Sequence, residues 1–216
     1  MPRLLSLFDG TGSMSRAFEQ AGWTVQTLDL IGTHGATIVG DVRDWNFTNE
    51  PPCDVLWAGV PCEQYSIARN RAKTPRNLEL ADSLVAKTLE IIQHFLNLNP
   101  NMLYFIENPA SSLLWGRKVA EPISTRIKLD YCSYGTLYRK RTIFGTNSKY
   151  NPRPLCKPAT CHACRDGKHI MSAQRGPTRG NDYKFDLCTL DQLHAYPPQL
   201  CQEICTYCAN QLWHVV

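Results

Sequence analysis

Four short apolar runs in the N-terminal part of the chain each end on an acid or a glycine, and this repeated ending constrains the fold most. Arg3 to Phe8 runs into Asp9-Gly10-Thr11-Gly12-Ser13, Thr24 to Leu28 into Asp29, Ala36 to Val39 into Gly40-Asp41, and Asp54 to Ala58 into Gly59-Val60-Pro61-Cys62. After the first run, Met14, Ala17, Phe18 and Ala21 recur at helical spacing up to Gly22, which predicts strand, glycine turn and helix. In open α/β sheets the ligand crevice lies at the carboxyl ends of the strands, so four such ends in succession predict one site along that edge.

The segment from Leu78 to Leu98 carries Leu80, Leu84, Val85, Thr88, Ile91, Ile92 and Phe95 at three- and four-residue spacing, a helix that Asn99-Pro100 stops. Met102 to Ile106 reads as a buried strand ending in Glu107-Asn108-Pro109, and Ile127 to Cys132 and Thr142 to Gly145 read as further strands. Alternating strands and helices predict an α/β fold with a doubly wound, mostly parallel sheet. From about Ser148 to Lys184 the chain turns irregular, with Pro152, Pro154, Pro158 and Pro177, and Pro198 to Trp213 reads as a last helix. The expected division is a core at 1–147, a small basic Cys-rich insert at 148–190, and a C-terminal helix at 191–216 returning to the core.

Bulk properties narrow the class. A chain of 216 residues buries one full core with one small appended element. No apolar run approaches the ~20 residues of a membrane span, and the apolar start is too short for a signal peptide, so cytoplasm or nucleus is the expected location. Ten cysteines without an export signal point to free thiols, a metal site or a catalytic thiol rather than a disulfide scaffold. A net charge of +4 permits a polyanionic partner without demanding one.

Phe8-Asp9-Gly10-Thr11-Gly12 between strand and helix suits a ligand that approaches the backbone closely, although an ordinary tight turn has the same form. Asp29 at the next strand end is placed to accept from both hydroxyls of a ribose, and Asp41 from an adenine amino group; each also reads as a strand-end cap. Cys62, held after Pro61 at the mouth of a crevice, suits a nucleophile, while a lone cysteine is more often buried and inert. Glu107 at the neighbouring strand end supplies the carboxylate that makes a working pair.

Phe8-Asp9-Gly10-Thr11-Gly12, Pro61-Cys62 with Ser66, Glu107-Asn108 and Arg139-Lys140-Arg141, in this order, resemble the motif series of the DNA (cytosine-5) methyltransferases. The resemblance covers roughly residues 3 to 147 and returns near Tyr196 to Ile204. It implies an S-adenosylmethionine-dependent methyltransferase with Cys62 as the thiolate that adds to carbon 6 of cytosine. Glu107 would share a proton with ring nitrogen 3, and Arg141 with Arg139 would hold the base carbonyl and lower the thiol pKa. Phe8, Asp9, Gly10, Thr11, Gly12, Asp29, Asp41, Val42 and Pro61 would line the cofactor site, and the target base would be flipped out of a DNA duplex.

The chain departs from that pattern at four places. Glu63 stands for the glutamine after Pro-Cys, Leu137 for the glutamine preceding the arginines, Gly12-Ser13 for a glycine pair, and Pro109 for the valine after Glu-Asn.

Within the insert, Cys156, Cys161, Cys164 and His169 form a C-x4-C-x2-C-x4-H run compatible with one tetrahedral zinc, with His162 and Cys188 as substitutes and free surface thiols as the alternative. The basic residues Lys149, Arg153, Lys157, Arg165, Lys168, Arg175, Arg179 and Lys184, against Asp166 and Asp182, suit phosphate contacts or a solvated loop. Arg69, Arg71, Lys73 and Arg76 form a second basic stretch, read as a loop closing over nucleic acid or as an ordinary solvated loop. Cys201, Cys205 and Cys208 fall with Leu200, Ile204 and Leu212 on one helix face and read as core.

DNA methylation at cytosine is the leading expectation, by a monomer or with a partner protein that supplies specificity. The same chemistry on RNA such as tRNA is the second reading, because a short recognition insert suits an already unstacked base. A non-catalytic nucleic-acid-binding module is the third, opposed by the joint presence of Cys62, Glu107 and Arg141. A redox enzyme built on Cys205 and Cys208 is a distant fourth.

Overall fold

The computed structural model describes residues 1–69, 72–173 and 190–213; Arg71, Arg175, Arg179, Asp182, Lys184 and Cys188 lie outside them. Its centre is a sheet of seven strands: β1 (Arg3–Leu7), β2 (Thr24–Asp29), β3 (Ile38–Val39), β4 (Val55–Ala58), β5 (Leu103–Pro109), β6 (Arg126–Asp130) and β7 (Arg141–Thr146). They lie in the order β3-β2-β1-β4-β5-β7-β6. Strands β1 to β5 are parallel, while β7 runs antiparallel to both β5 and β6. Strand order reverses at β1, which has β2 on one side and β4 on the other, and the crevice of a doubly wound sheet opens at such a point.

The two faces of the sheet are distinct cores because neighbouring residues of a strand point to opposite sides. Leu4, Val55, Trp57 and Phe105 pack on one face with Met14 and Phe18 of helix α1 (Ser13–Gln20) and with Leu200, Ile204 and Cys208 of the C-terminal helix. Leu5, Leu7, Leu56, Ala58 and Ile106 pack on the other face with Ala81, Val85, Ile91, Ile92 and Phe95 of helix α2 (Leu78–Leu98). Helix α2 has the bounds its periodicity predicts. Asn77 caps it by accepting from the Leu80 amide at 2.9 Å.

The connections between β2, β3 and β4 depart from a regular helix alternation. A 3-10 turn at Gly32–His34 is the one helical element there among the described residues. Residues 40 to 54 hold Asp41, Asp44, Asn46, Asn49, Pro51 and Pro52, which favour turns over helix. Strand β6 ends at Asp130, and the expected continuation to Cys132 folds instead into a 3-10 turn, Tyr131–Tyr134, closed by Gly135 at φ 96°.

Among its described residues the insert has little core of its own. It carries a 3-10 turn (Pro158–Thr160) and a hairpin of β8 (Cys164–Arg165) and β9 (Lys168–His169), then buries Ile170 and Met171 against the main core. The chain returns through a short helix, α3 (Leu190–His194), to α4 (Pro198–Trp213). Cys201, Cys205 and Cys208 are buried on the inner face of α4, and the nine described cysteines are all free thiols. No helix among the described residues is long and apolar enough to cross a membrane.

Candidate active site

The parallel register pairs Ala58 with Ile106, so the turn after β4 and the last residues of β5 meet at one sheet edge. Asn108 donates from Nδ2 to the Val60 carbonyl at 2.8 Å, inside the protein, and thereby ties the Pro61-Cys62 turn to β5. On the far side of Cys62, the Tyr65 amide donates to the Cys62 carbonyl at 3.0 Å. The Tyr65 ring is fully buried, and its hydroxyl donates to Asp82 at 2.8 Å, a carboxylate that also pairs with Arg117. Arg76 donates to the Gln64 and Ser66 carbonyls, and Arg69 to Thr74. The two arginines of the second basic stretch that are described here thus close the loop upon itself.

Glu107 is 5% exposed and faces this turn. Thr142 donates a short hydrogen bond to Oε1, the Tyr196 hydroxyl lies 3.4 Å from Oε2, and Lys140 Nζ lies 3.8 Å from Oε1. The Cys62 thiol is pushed up to about 11, first by burial, then by the charge of Glu107 and less by that of Glu63. Lys140 acts in the opposite direction.

The cation at the centre of the site is therefore Lys140, where the motif points to Arg139 and Arg141. Arg141 is engaged by Asp130 in a two-pronged pair, Nε to Oδ1 at 2.9 Å and Nη2 to Oδ2 at 2.7 Å, and Asp130 is fully buried. Arg139 is exposed. Where the chain enters β7, successive side chains alternate in direction, so Lys140 and its two arginine neighbours point to different sides. Lys140 also sits over the Tyr131 ring, 4.9 Å from its centroid.

Tyr196 joins the site from the connection before α4. Its ring packs edge-on against Trp57 at 5.1 Å, and its amide donates to Ser13 Oγ at 2.9 Å. A Cβ on Gly59 would lie 2.5 Å from the Tyr196 hydroxyl, so a side chain here requires Tyr196 to move.

The β1 turn forms the other half of the crevice. Phe8 at φ 55°, Gly10 at 53° and Gly12 at 67° curl the backbone over the start of α1. Asp9 is fixed by Ser6 at 2.6 Å and Ser15 at 2.7 Å, and burial raises its pKa. Asp29 receives the Gly10 and Ile31 amides at 2.9 Å each, which places its carboxylate beside the turn. Thr11 is partly exposed, Pro61 is half-buried, and Val42 is packed in the core. Asp41 is taken up by Arg43, whose hydrogen bonds hold its carboxyl down to about 2.

In the insert, one ligand atom each of Cys132, Cys156, Cys161 and His169 lies within 4.8 Å of the others. Cys132, in the 3-10 turn after β6, stands far upstream and shows no local spacing that would have singled it out. Cys164 faces the other ring nitrogen of His169, Nδ1, at 3.4 Å, and His162 is exposed. Arg153, expected among phosphate-contacting residues, instead binds Glu203 at 2.6 Å, Gln199 at 2.7 Å and the Ser133 carbonyl at 2.9 Å, which fastens the insert to α4.

Residues 2–111 match the family model of the C-5 cytosine-specific DNA methylases. The chain is 30% identical over 175 residues to the "Probable DNA (cytosine-5)-methyltransferase" of Frog virus 3 (isolate Goorha), covering 74% of this chain and 77% of that protein. Among solved structures, the Entamoeba histolytica methyltransferase EhMeth is 15% identical with a TM-score of 0.46, over 72% of this chain and 56% of that one. The S. pombe Dnmt2 methyltransferase is likewise 15% identical with a TM-score of 0.46, over 70% and 51%. The chain thus spans about half the length of these solved structures. From the family match and the viral relative together, the chain belongs to the C-5 cytosine-specific DNA methylases.

Proposed function

We propose that this chain transfers a methyl group from S-adenosylmethionine to carbon 5 of cytosine in DNA, through a covalent bond between Cys62 and carbon 6 of a base flipped out of the duplex. The observation that carries the reading is the tie from Asn108 to the Val60 carbonyl, which sets the Cys62 turn beside Glu107, with the Lys140 ammonium acting on both. Family membership adds the cytosine substrate.

The β1 turn fits the cofactor. Gly10 has nothing but the Phe8 carbonyl, at 3.9 Å, where a side chain would start, and Asp29 presents a carboxylate beside it for a ribose diol. Phe8, Asp9, Thr11 and Gly12 complete that turn, Pro61 follows the neighbouring strand β4, and Val42 follows β3 and is packed in the core. When bound, S-adenosylmethionine supplies an electrophilic methyl group.

The protein's own residues do the rest. The Cys62 thiol loses its proton to water and Sγ forms a bond to carbon 6, while Glu107 delivers a proton to ring nitrogen 3, leaving carbon 5 electron-rich. Before attack, the proton held between Glu107 and ring nitrogen 3 offsets the larger of the two charges that oppose the thiolate; on attack it passes to the nitrogen as the charge of the thiolate passes into the ring. Lys140 balances the remaining charge. After methylation, a water takes the carbon-5 proton, the Sγ–carbon bond breaks and nitrogen 3 returns its proton to Glu107, restoring the aromatic base, the thiolate and the acid.

The test is transfer of labelled methyl from S-adenosylmethionine to duplex DNA, comparing the wild type with Cys62→Ala, together with adduct formation on 5-fluorocytosine DNA. Fluorine at carbon 5 cannot leave as a proton, so the covalent complex accumulates. Label on DNA cytosine that Cys62→Ala abolishes, with an adduct on the fluorinated duplex, supports the reading. Label on tRNA alone would replace DNA by RNA as substrate, and label on neither would sink the catalytic reading.

A further inference from the structure

Away from the crevice, the insert gathers soft donors from two distant parts of the chain. Cys156, Cys161 and His169 come from the insert itself, and Cys132 comes from the turn after β6. His169 Nε2 lies 3.4 Å from Cys156 Sγ and 3.6 Å from Cys161 Sγ. Cys132 Sγ in turn neighbours the sulfurs of Cys156 and Cys161.

We propose that Cys132, Cys156, Cys161 and His169 Nε2 bind one zinc ion, which clamps the insert to the end of β6. Zinc–sulfur bonds of about 2.3 Å and zinc–nitrogen bonds of about 2.0 Å at a tetrahedral angle put sulfur and nitrogen about 3.5 Å apart. The two sulfur–nitrogen distances to Nε2 agree with that edge. Three thiolates and an imidazole are soft, closed-shell ligands of the kind structural zinc takes, with no position left for water.

The surroundings fit the same ion. Cys164 Sγ meets Nδ1 of His169 and holds the ring so that Nε2 faces the three sulfurs, the role an outer partner plays at a ligating histidine. Three thiolates on Zn²⁺ leave one negative charge, and the guanidinium of Arg141 acts on Cys132 and Cys156 while that of Arg139 acts on His169. Asp130 receives the Cys156 amide at 3.0 Å and so anchors the ligand loop to β6. The hairpin of β8 and β9 has two residues per strand, and its turn runs through Asp166 at φ 50° and Gly167 at 73°. So short a hairpin is not stable alone, and residues 151–162 contribute no buried hydrophobic side chain to either core. A metal adds a further anchor beside Arg153 and Asp130, and its binding energy is folding energy for the segment.

The measurement is the metal content of the full chain purified under reducing conditions, followed by replacement of the metal with cobalt(II). The expected result is one zinc per chain, released when the thiols are capped with an organomercurial, and a cobalt spectrum of tetrahedral intensity with sulfur-to-metal charge transfer from three thiolates. Cys132→Ser should lose the metal, while Cys164→Ser keeps it. Should Cys132→Ser fail to fold, the wild-type cobalt spectrum and the protection of thiols from alkylation by added zinc still decide. No zinc after purification and none taken up on reconstitution would overturn the site. A four-thiolate spectrum with loss of metal in Cys164→Ser would overturn the assignment of His169.

Discussion

Lys140 Nζ lies 3.8 Å from Oε1 of Glu107, and its charge acts on the Cys62 thiol as well. Removing it leaves burial and two carboxylates opposed only by a backbone hydrogen bond. Lys140→Met is therefore expected to raise the Cys62 pKa above its value of about 11. A higher thiol pKa leaves less thiolate at any pH below it, so alkylation of Cys62 by iodoacetamide at pH 8 should slow severalfold, and Lys140→Arg should retain the rate. An unchanged rate in Lys140→Met would show that the cation does not reach the thiol.

Glu63 carries the opposite sign. It raises the Cys62 pKa and stands where the family has a neutral glutamine. Glu63→Gln should lower the pKa and speed alkylation at fixed pH. Because Glu63 is exposed, solvent screens its charge, and the gain should be smaller than the loss in Lys140→Met and should shrink as salt is added.

Gly59→Ala should be strongly destabilising, because the new Cβ meets the Tyr196 hydroxyl at 2.5 Å. In a Tyr196→Phe background the nearest remaining contacts are the Phe8 carbonyl at 3.3 Å and the ring carbon at 3.7 Å, which small shifts accommodate. The two substitutions should therefore be non-additive, with a coupling on the order of 1 kcal/mol or more in a denaturation cycle. Additive effects would mean that the hydroxyl moves freely out of the way.

Asn108→Ala removes the buried donor to the Val60 carbonyl and leaves that acceptor unsatisfied. The expected cost is about 1–3 kcal/mol, which for a chain of this size lowers Tm by roughly 2–12 °C. Methyl transfer at a temperature where the variant is fully folded should fall further than stability explains, because the Cys62 turn loses its tie to β5. Full activity in the folded variant would show that the turn holds its place by other means.

Apolar spacing made helix α2 and strands β1, β2, β4 and β5 legible, because each is either a long 3.6-residue pattern or a short run stopped by glycine or acid. The pairing of Cys62 with Glu107 was legible too, since parallel strands deliver their carboxyl ends to one edge. The direction of β7 was not, because its antiparallel course depends on how residues 131–140 turn and not on the strand's own composition. Lys140 was hidden for a related reason. Three consecutive cations read alike in sequence, and the alternation of side chains at the entry to β7 decides which one faces Glu107. Cys132 was hidden by distance along the chain, since ligand spacing reveals donors that are close in sequence and it comes from a different element.

The face of the sheet that carries α1 is closed by residues nearly two hundred positions apart in sequence: Leu4, Met14 and Phe18 are buried together with Leu200, Ile204 and Cys208. A polypeptide growing on the ribosome therefore holds the first three uncovered until the last three have emerged. The turn that begins at Asp9 gains its backing only then, so this crevice is completed once helix α4 has been made and not when its own neighbouring strands have.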